Sequence, residues 1–151
     1  MKIGLIADTH GLLRPEALAA LAGCERIVHA GDIGKPEILD ALGRLAPLTA
    51  VRGNNDRGDW AEALPHSVEL ELDGVRLFVV HEAADLPAGL AERGVRVAIC
   101  GHSHMPLIEE RDGVLLVNPG SAGPRRFRLP VTVGVLHVEG DRLRAERVDL
   151  V

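Results

Sequence analysis

The sequence predicts an α/β fold in which two mixed β-sheets pack as a sandwich flanked by helices, an α/β/β/α arrangement. Two patterns carry that reading. The first half alternates continuously apolar runs with stretches of helical spacing, as parallel strands joined by helical crossovers do. The second half pairs strand-like runs across Asp-Gly and Gly-Asp turns, as antiparallel hairpins do. The chain has 151 residues, the size of one domain spanning 1–151 and enough for a sizeable core. With one Trp, two Phe and no Tyr, that core must be aliphatic.

The elements follow in order. Residues 2–7 (KIGLIA), 26–30 (RIVHA) and 47–51 (PLTAV) read as buried strands of a parallel sheet. Pro15 opens a helix over 15–22, and Ile38, Leu39, Leu42 and Leu45 give 35–45 helical spacing. The resulting βαβαβ start has right-handed crossovers. Residues 67–72 (SVELEL) alternate strictly, Asp73-Gly74 turns the chain, and 75–80 (VRLFVV) return. A helix around 86–93 and a strand over 95–100 come next. Asp112-Gly113 separates 107–111 from 114–117, and Gly140-Asp141 separates 131–138 from 142–150, which predicts two more hairpins.

Bulk properties narrow the function. The formal net charge is −5 with both signs interspersed, so no global basic field gathers nucleic acid, and dedicated nucleic-acid binding is not expected. No apolar stretch approaches the ~20 residues of a membrane span. Asp8 interrupts the first apolar run too early for a signal peptide. Cys24 and Cys100 form neither a framework nor a CxxC pair and read as small buried hydrophobes. A cytoplasmic protein without membrane contact is expected.

Polar residues gather at one edge of the predicted sheets. Asp8 ends IGLIAD, Asp32 follows RIVHAG, Asn54 follows LTAVRG, His81 ends RLFVVH and His102 follows VAICG. In α/β sheets the carboxyl ends of strands share a crevice where sites assemble. His10 and His104 stand two residues beyond Asp8 and His102, a spacing that puts side chains on one side of an extended chain. Carboxylates, an amide and imidazoles without thiolate suit a divalent ion such as manganese, iron, zinc or nickel. Seven candidate ligands exceed the needs of one ion and match two that share a bridging carboxylate. Gly31, Gly53 and Gly101 each precede a candidate ligand and allow a sharp turn there.

The series Asp8-Thr9-His10, Gly31-Asp32, Gly53-Asn54-Asn55-Asp56, His81 and Gly101-His102-Ser103-His104 resembles the calcineurin-like metallophosphoesterases in order and spacing. It looks most like their small bacterial and archaeal phosphodiesterase branch, and Asn118-Pro119-Gly120-Ser121 resembles that branch's late loop. The resemblance implies two divalent ions, manganese ahead of iron, zinc, nickel or magnesium. Asp8, His10, Asp32 and His104 would hold one ion, and Asp32, Asn54, His81 and His102 the other. It also implies an enzyme that hydrolyses a small phosphate ester, a diester first, by in-line attack of a metal-bridging hydroxide. A phosphomonoesterase or nucleotide phosphatase on the same centre is the alternative. A non-enzymatic interaction scaffold, like the retromer subunit this fold resembles, would be expected to show degraded ligands. Similar small enzymes associate, so a homo-oligomer is expected.

Two positions depart from the family pattern. Asn55 stands where many relatives carry a histidine taken as the acid for the leaving group; its amide can hydrogen-bond a phosphoryl oxygen but cannot act as an acid. That branch also tends to lack the histidine. Glu82 follows His81 where glycine is common, and either faces the site or points into solvent. Arg125 and Arg126 follow the late loop; Arg125 is a candidate for substrate phosphate, with a solvated basic pair as the plain alternative. Asp56 is read as the cap of a following helix ahead of a role in the Asn54 loop. His29 is read as core or supporting, His66 and His137 as hairpin surface, and Trp60 as packing.

Overall fold

A computed structural model describes all residues 1–151. The continuously apolar runs become β1 (Lys2–Ile6), β2 (Arg26–His29) and β3 (Leu48–Ala50), which pair in parallel. Pro at the start of each crossover helix presets the helical φ. Helix α1 (Pro15–Leu21) and helix α2 (Pro36–Leu45) form there and bury Ala17, Leu21, Ile38 and Leu42. A four-residue helix α3 (Asp59–Glu62) precedes the second half.

Strict alternation in SVELEL produces β4 (Ser67–Leu72), with side chains alternately exposed and half-buried, paired antiparallel to β5 (Val75–Val80). Beyond it run β6 (Val95–Ile99) and the hairpin β7 (Leu107–Arg111) with β8 (Val114–Asn118). The last hairpin, β9 (Thr132–Glu139) with β10 (Arg142–Asp149), returns to the first sheet, where β9 lies antiparallel to β1. Two mixed five-stranded sheets result, ordered β10-β9-β1-β2-β3 and β4-β5-β6-β8-β7.

The core is layered as that order requires. Ile3, Leu5, Val28, Leu77, Ile99 and Leu136 pack in the largest cluster, which joins residues of both sheets. A second cluster joins α1 and α2 to Ile6, Ile27 and Val133 of the first sheet. A third gathers Phe78, Ala98 and Leu116 of the second sheet with Leu90. The helix expected around 86–93 is absent there: a single 3₁₀ turn at Ala83–Asp85 and successive turns through Gly94 fill its place. Pro87 and the left-handed Gly89 (φ 77°) and Gly94 (φ 84°) break the spacing of Leu86 and Leu90 before a helix can propagate. Helices therefore cover the first sheet, and a coiled strap covers the second.

Candidate active site

Loops leaving the strands carry the seven candidate ligands to one edge, and backbone hydrogen bonds set their positions. Past the end of β1 and β2 the two chains stay paired. Asp8 N–H donates to Gly31 O (3.0 Å), His10 N–H to Asp32 O (2.9 Å) and Gly11 N–H to Ile33 O (2.8 Å). The backbone of five of the seven is left-handed: Asp8 (φ 55°), His10 (45°), Asp32 (57°), His102 (72°) and His104 (64°). Asp and His are enriched among the uncommon residues that adopt this region, and such geometry clusters at functional sites. It replaces the extended i, i+2 arrangement that the sequence suggests. Asp8 and His10 still converge, but His102 and His104 turn toward different neighbours.

Ligand atoms of Asp8, His10 and His104 lie within 4.8 Å of one another, and so do those of Asp32, His81 and His102. Asp32 Oδ2 stands between the groups, 3.1 Å from His81 Nε2 and 3.7 Å from His10 Nε2. Asp8 Oδ1 is buried without a hydrogen bond, 3.7 Å from the Nε2 atoms of His10 and His104 and 3.9 Å from that of His81. Asn54 Oδ1 lies 3.3 Å from His102 Nδ1.

The tautomer of His81 tests whether these donors fit a cation. Its Nδ1 is 2.8 Å from the Ala30 carbonyl, which only accepts, so Nδ1 carries the hydrogen and Nε2 of the neutral ring presents a lone pair. That lone pair faces Asp32 Oδ2, and Nε2 has no hydrogen-bond partner. Two acceptors 3.1 Å apart repel unless a proton or a cation stands between them. The donor set, the buried orphaned atoms and their spacing fit divalent ions.

Without an ion, protons take that place. Burial lowers the His81 pKa, but the Asp32 carboxylate, the Ala30 carbonyl and Asp8 outweigh it and raise it. Burial likewise pushes Asp32 up, while bonds from His81 and the Asn55 backbone outweigh it and hold the carboxyl at about 2. The Asp8 carboxylate, with Asp32, raises His10 against burial. Burial lowers His104. The positive charge of Arg126 opposes protonation of both His10 and His104.

Glycines admit the close approaches. A Cβ on Gly53 would overlap Asp32 N and Oδ1, and one on Gly31, at φ 103°, would stand 2.7 Å from His81 Nδ1.

Supporting residues complete the frame, and several were not legible in the sequence. His29, fully buried, accepts from Gly31 N–H at Nδ1 (3.1 Å), so its Nε2–H donates to Thr9 Oγ1 (3.0 Å), and Thr9 donates on to Ile33 O (2.8 Å). Burial holds this imidazole neutral, with its pKa near 3. Asp56 does not cap α3, whose N-cap is Gly58 without a side-chain bond. Its carboxylate accepts from Ile33 and Gly34 at Oδ1 and from Gly53 at Oδ2, which ties two ligand loops together. Asn118 donates to Gly101 O and Ser103 Oγ, and Ser121 to Asp8 O.

The remaining candidates are placed as follows. Asn55 donates to Asp32 twice, from N–H to Oδ1 (2.8 Å) and from Nδ2 to Oδ2 (3.2 Å), leaving one amide hydrogen free. Glu82 faces His102, with Oε1 3.5 Å from Nε2. Arg125 points away, toward Leu129 O and Val151 O at 3.5 Å, and Arg126 is the arginine whose charge His10 and His104 feel. His66, read as hairpin surface, lines a 360 Å³ cleft with Arg52, Asn54, His81, Glu82 and Asp85. His137 pairs with Glu146 (2.8 Å), and both cysteines are free and buried.

Residues 1–141 match the model of the calcineurin-like phosphoesterase superfamily domain. The chain belongs to that superfamily. Among its metallophosphoesterase relatives, a Methanothermobacter thermautotrophicus protein named "Probable metallophosphoesterase" is 39% identical over 97% of this chain and 91% of its own. The solved structure of an archaeal phosphodiesterase superposes with a TM-score of 0.80 at 27% identity, covering 98% of this chain and all of the other. Vps29 of Chaetomium thermophilum also reaches 0.80, at 19% identity over 98% of this chain and 97% of its own, which shows a shared fold. No helix of this metallophosphoesterase is long and apolar enough to cross a membrane.

Proposed function

We propose that the chain is a phosphodiesterase acting on a small phosphate ester with two divalent ions, manganese first and iron, zinc, nickel or magnesium as alternatives. The observation that carries this reading is the cage around Asp8 Oδ1, Asp32 Oδ2 and the His81 lone pair, in which acceptors face acceptors. Asp8, His10, Asp32 and His104 would hold one ion and Asp32, Asn54, His81 and His102 the other. Bound divalent ions supply Lewis acidity toward phosphoryl oxygens and lower the pKa of the attacking water.

The chain's own residues do the rest. Asn55 bonds both oxygens of Asp32, and its free amide hydrogen would donate to a phosphoryl oxygen. Arg126 adds positive charge at the rim beside His10 and His104. As water oxygen bonds to phosphorus, the ester P–O bond breaks and the departing oxygen takes its proton from solvent. With no histidine at position 55 to supply that proton, diesters with good leaving groups are favoured. The two free cysteines support a cytoplasmic setting.

The test compares bis(p-nitrophenyl) phosphate with p-nitrophenyl phosphate, using metal-stripped protein with and without Mn2+. Mn2+-dependent cleavage that favours the diester is expected, and Asp32→Ala should lose metal and nearly all activity. A preference for the monoester would reassign the centre as a phosphatase. Wild-type activity in Asp32→Ala would end the two-ion reading.

A further inference from the structure

A diester has two arms, and the surface beside the centre offers two unlike places for them. On one side is the 360 Å³ cleft of Arg52, Asn54, His66, Glu82 and Asp85, in which Val80 is the only apolar side chain. On the other side of Glu82 and His102 opens a 370 Å³ groove whose walls are chiefly Cys100, Met105, Pro106, Leu107 and Leu116. It runs on into a 500 Å³ groove beneath Leu86 and Leu90 of the strap, and the two share Ala83, Arg111 and Leu116. Arg111, the cation of that shared wall, lies 3.2 Å from Glu109 Oε1 in a solvent-exposed pair. Met105 and Leu107 hold 57% and 37% of their surface open to solvent at its mouth. Grooves of this size and character bury apolar ligands.

We propose that the groove beyond His102 receives an apolar alcohol arm of the substrate, which is therefore an amphiphilic phosphodiester with its polar arm in the Arg52–Asp85 cleft. The assignment rests on the phosphodiesterase reading of the centre and deepens it. His102 and Ser103 border the groove, while Gly53, Asn54 and His81 border the cleft, so a phosphate at the centre reaches both. Ala98, Cys100, Val114 and Leu116 are buried beneath the strap, so the open apolar surface of the groove lies at Met105 and Leu107.

Two readouts test this. With Mn2+-loaded protein, hexyl p-nitrophenyl phosphate should show kcat/KM about tenfold or more above the methyl ester, since each buried methylene contributes. Met105→Asp and Leu107→Asp should bring the hexyl-to-methyl ratio toward one. Equal values for the two esters in the wild type would overturn the groove assignment and leave diester hydrolysis standing. In metal-free protein, hexyl methyl phosphate should shift the methyl resonances of Met105, Leu107 and Leu116, and dimethyl phosphate should not. Absence of those shifts overturns the assignment even if no diester is cleaved, a result that by itself would count against the phosphodiesterase reading.

Discussion

At the scale of single residues, His29 shows how much of the site depends on groups that never touch it. Its imidazole must stay neutral, because Nδ1 accepts from Gly31 while Nε2–H reaches Thr9. Its folded pKa, near 3, lies below the ordinary value of 6.5. The unfolded chain therefore binds the proton more readily, and stability falls as pH drops from about 6.5 toward 3. In EDTA-treated protein the wild type should lose about 1.4 kcal/mol per pH unit more than His29→Asn across that window. Denaturant melts at pH 7, 6 and 5 measure it, and parallel slopes for the two proteins would contradict the buried neutral imidazole. The sequence shows His29 only as a histidine inside an apolar strand. Nothing local marks it as a link between the Asp8 and Asp32 loops, because Thr9, its partner on the other loop, is distant in the chain. The candidate ligands stood out for the opposite reason: five of them, Asp8, Asp32, Asn54, His81 and His102, follow closely on a strand end, where position follows from the strand itself. The left-handed backbones of Asp8, His10 and Asp32 were not readable, since these residues lie in the loop pairing of 8–11 with 31–33.

At the scale of elements, strands were legible and the strap was not. Continuous apolar runs and strict alternation report the burial of one or two faces, which fixes strand type directly. Leu86 and Leu90 have helical spacing, yet the Pro87 and Gly89 between them, with Gly94 after, override it. Asp56 illustrates the same limit for loops. A carboxylate three residues before a helix reads as a cap, whereas its three backbone donors come from two loops that only the sheet brings together. Asp56→Ala would leave three backbone N–H groups unpaired, two of them fully inside the protein. A loss of about 3 kcal/mol or more is expected, with weaker Mn2+ binding because the Gly53–Asn54 and Asp32–Gly34 loops separate. Urea melts and metal titration of the variant check both; unchanged metal affinity would show that the latch stabilises the fold without shaping the site.

At the scale of the molecule, ten strands in two sheets direct their loops to one edge, and the charges placed there are mutually unfavourable without a counter-ion. The fold holds that arrangement because the clusters of Ile3, Leu5, Leu77 and Ile99 between the sheets, and of Leu21, Ile27 and Leu42 under the helices, are fully buried. Left-handed residues and facing acceptors at this edge cost stability; the aliphatic core offsets it, and bound cations would relieve it. On the proposed function, this relief and the hydrolysis are one property of a two-ion centre. The most direct measurement is cleavage of bis(p-nitrophenyl) phosphate by metal-stripped protein as Mn2+ is added in known equivalents. No cleavage in the stripped protein, rising to a plateau at two equivalents per chain, is the predicted result. Full activity without metal, a plateau at one equivalent, or no activity at saturating Mn2+ would contradict it.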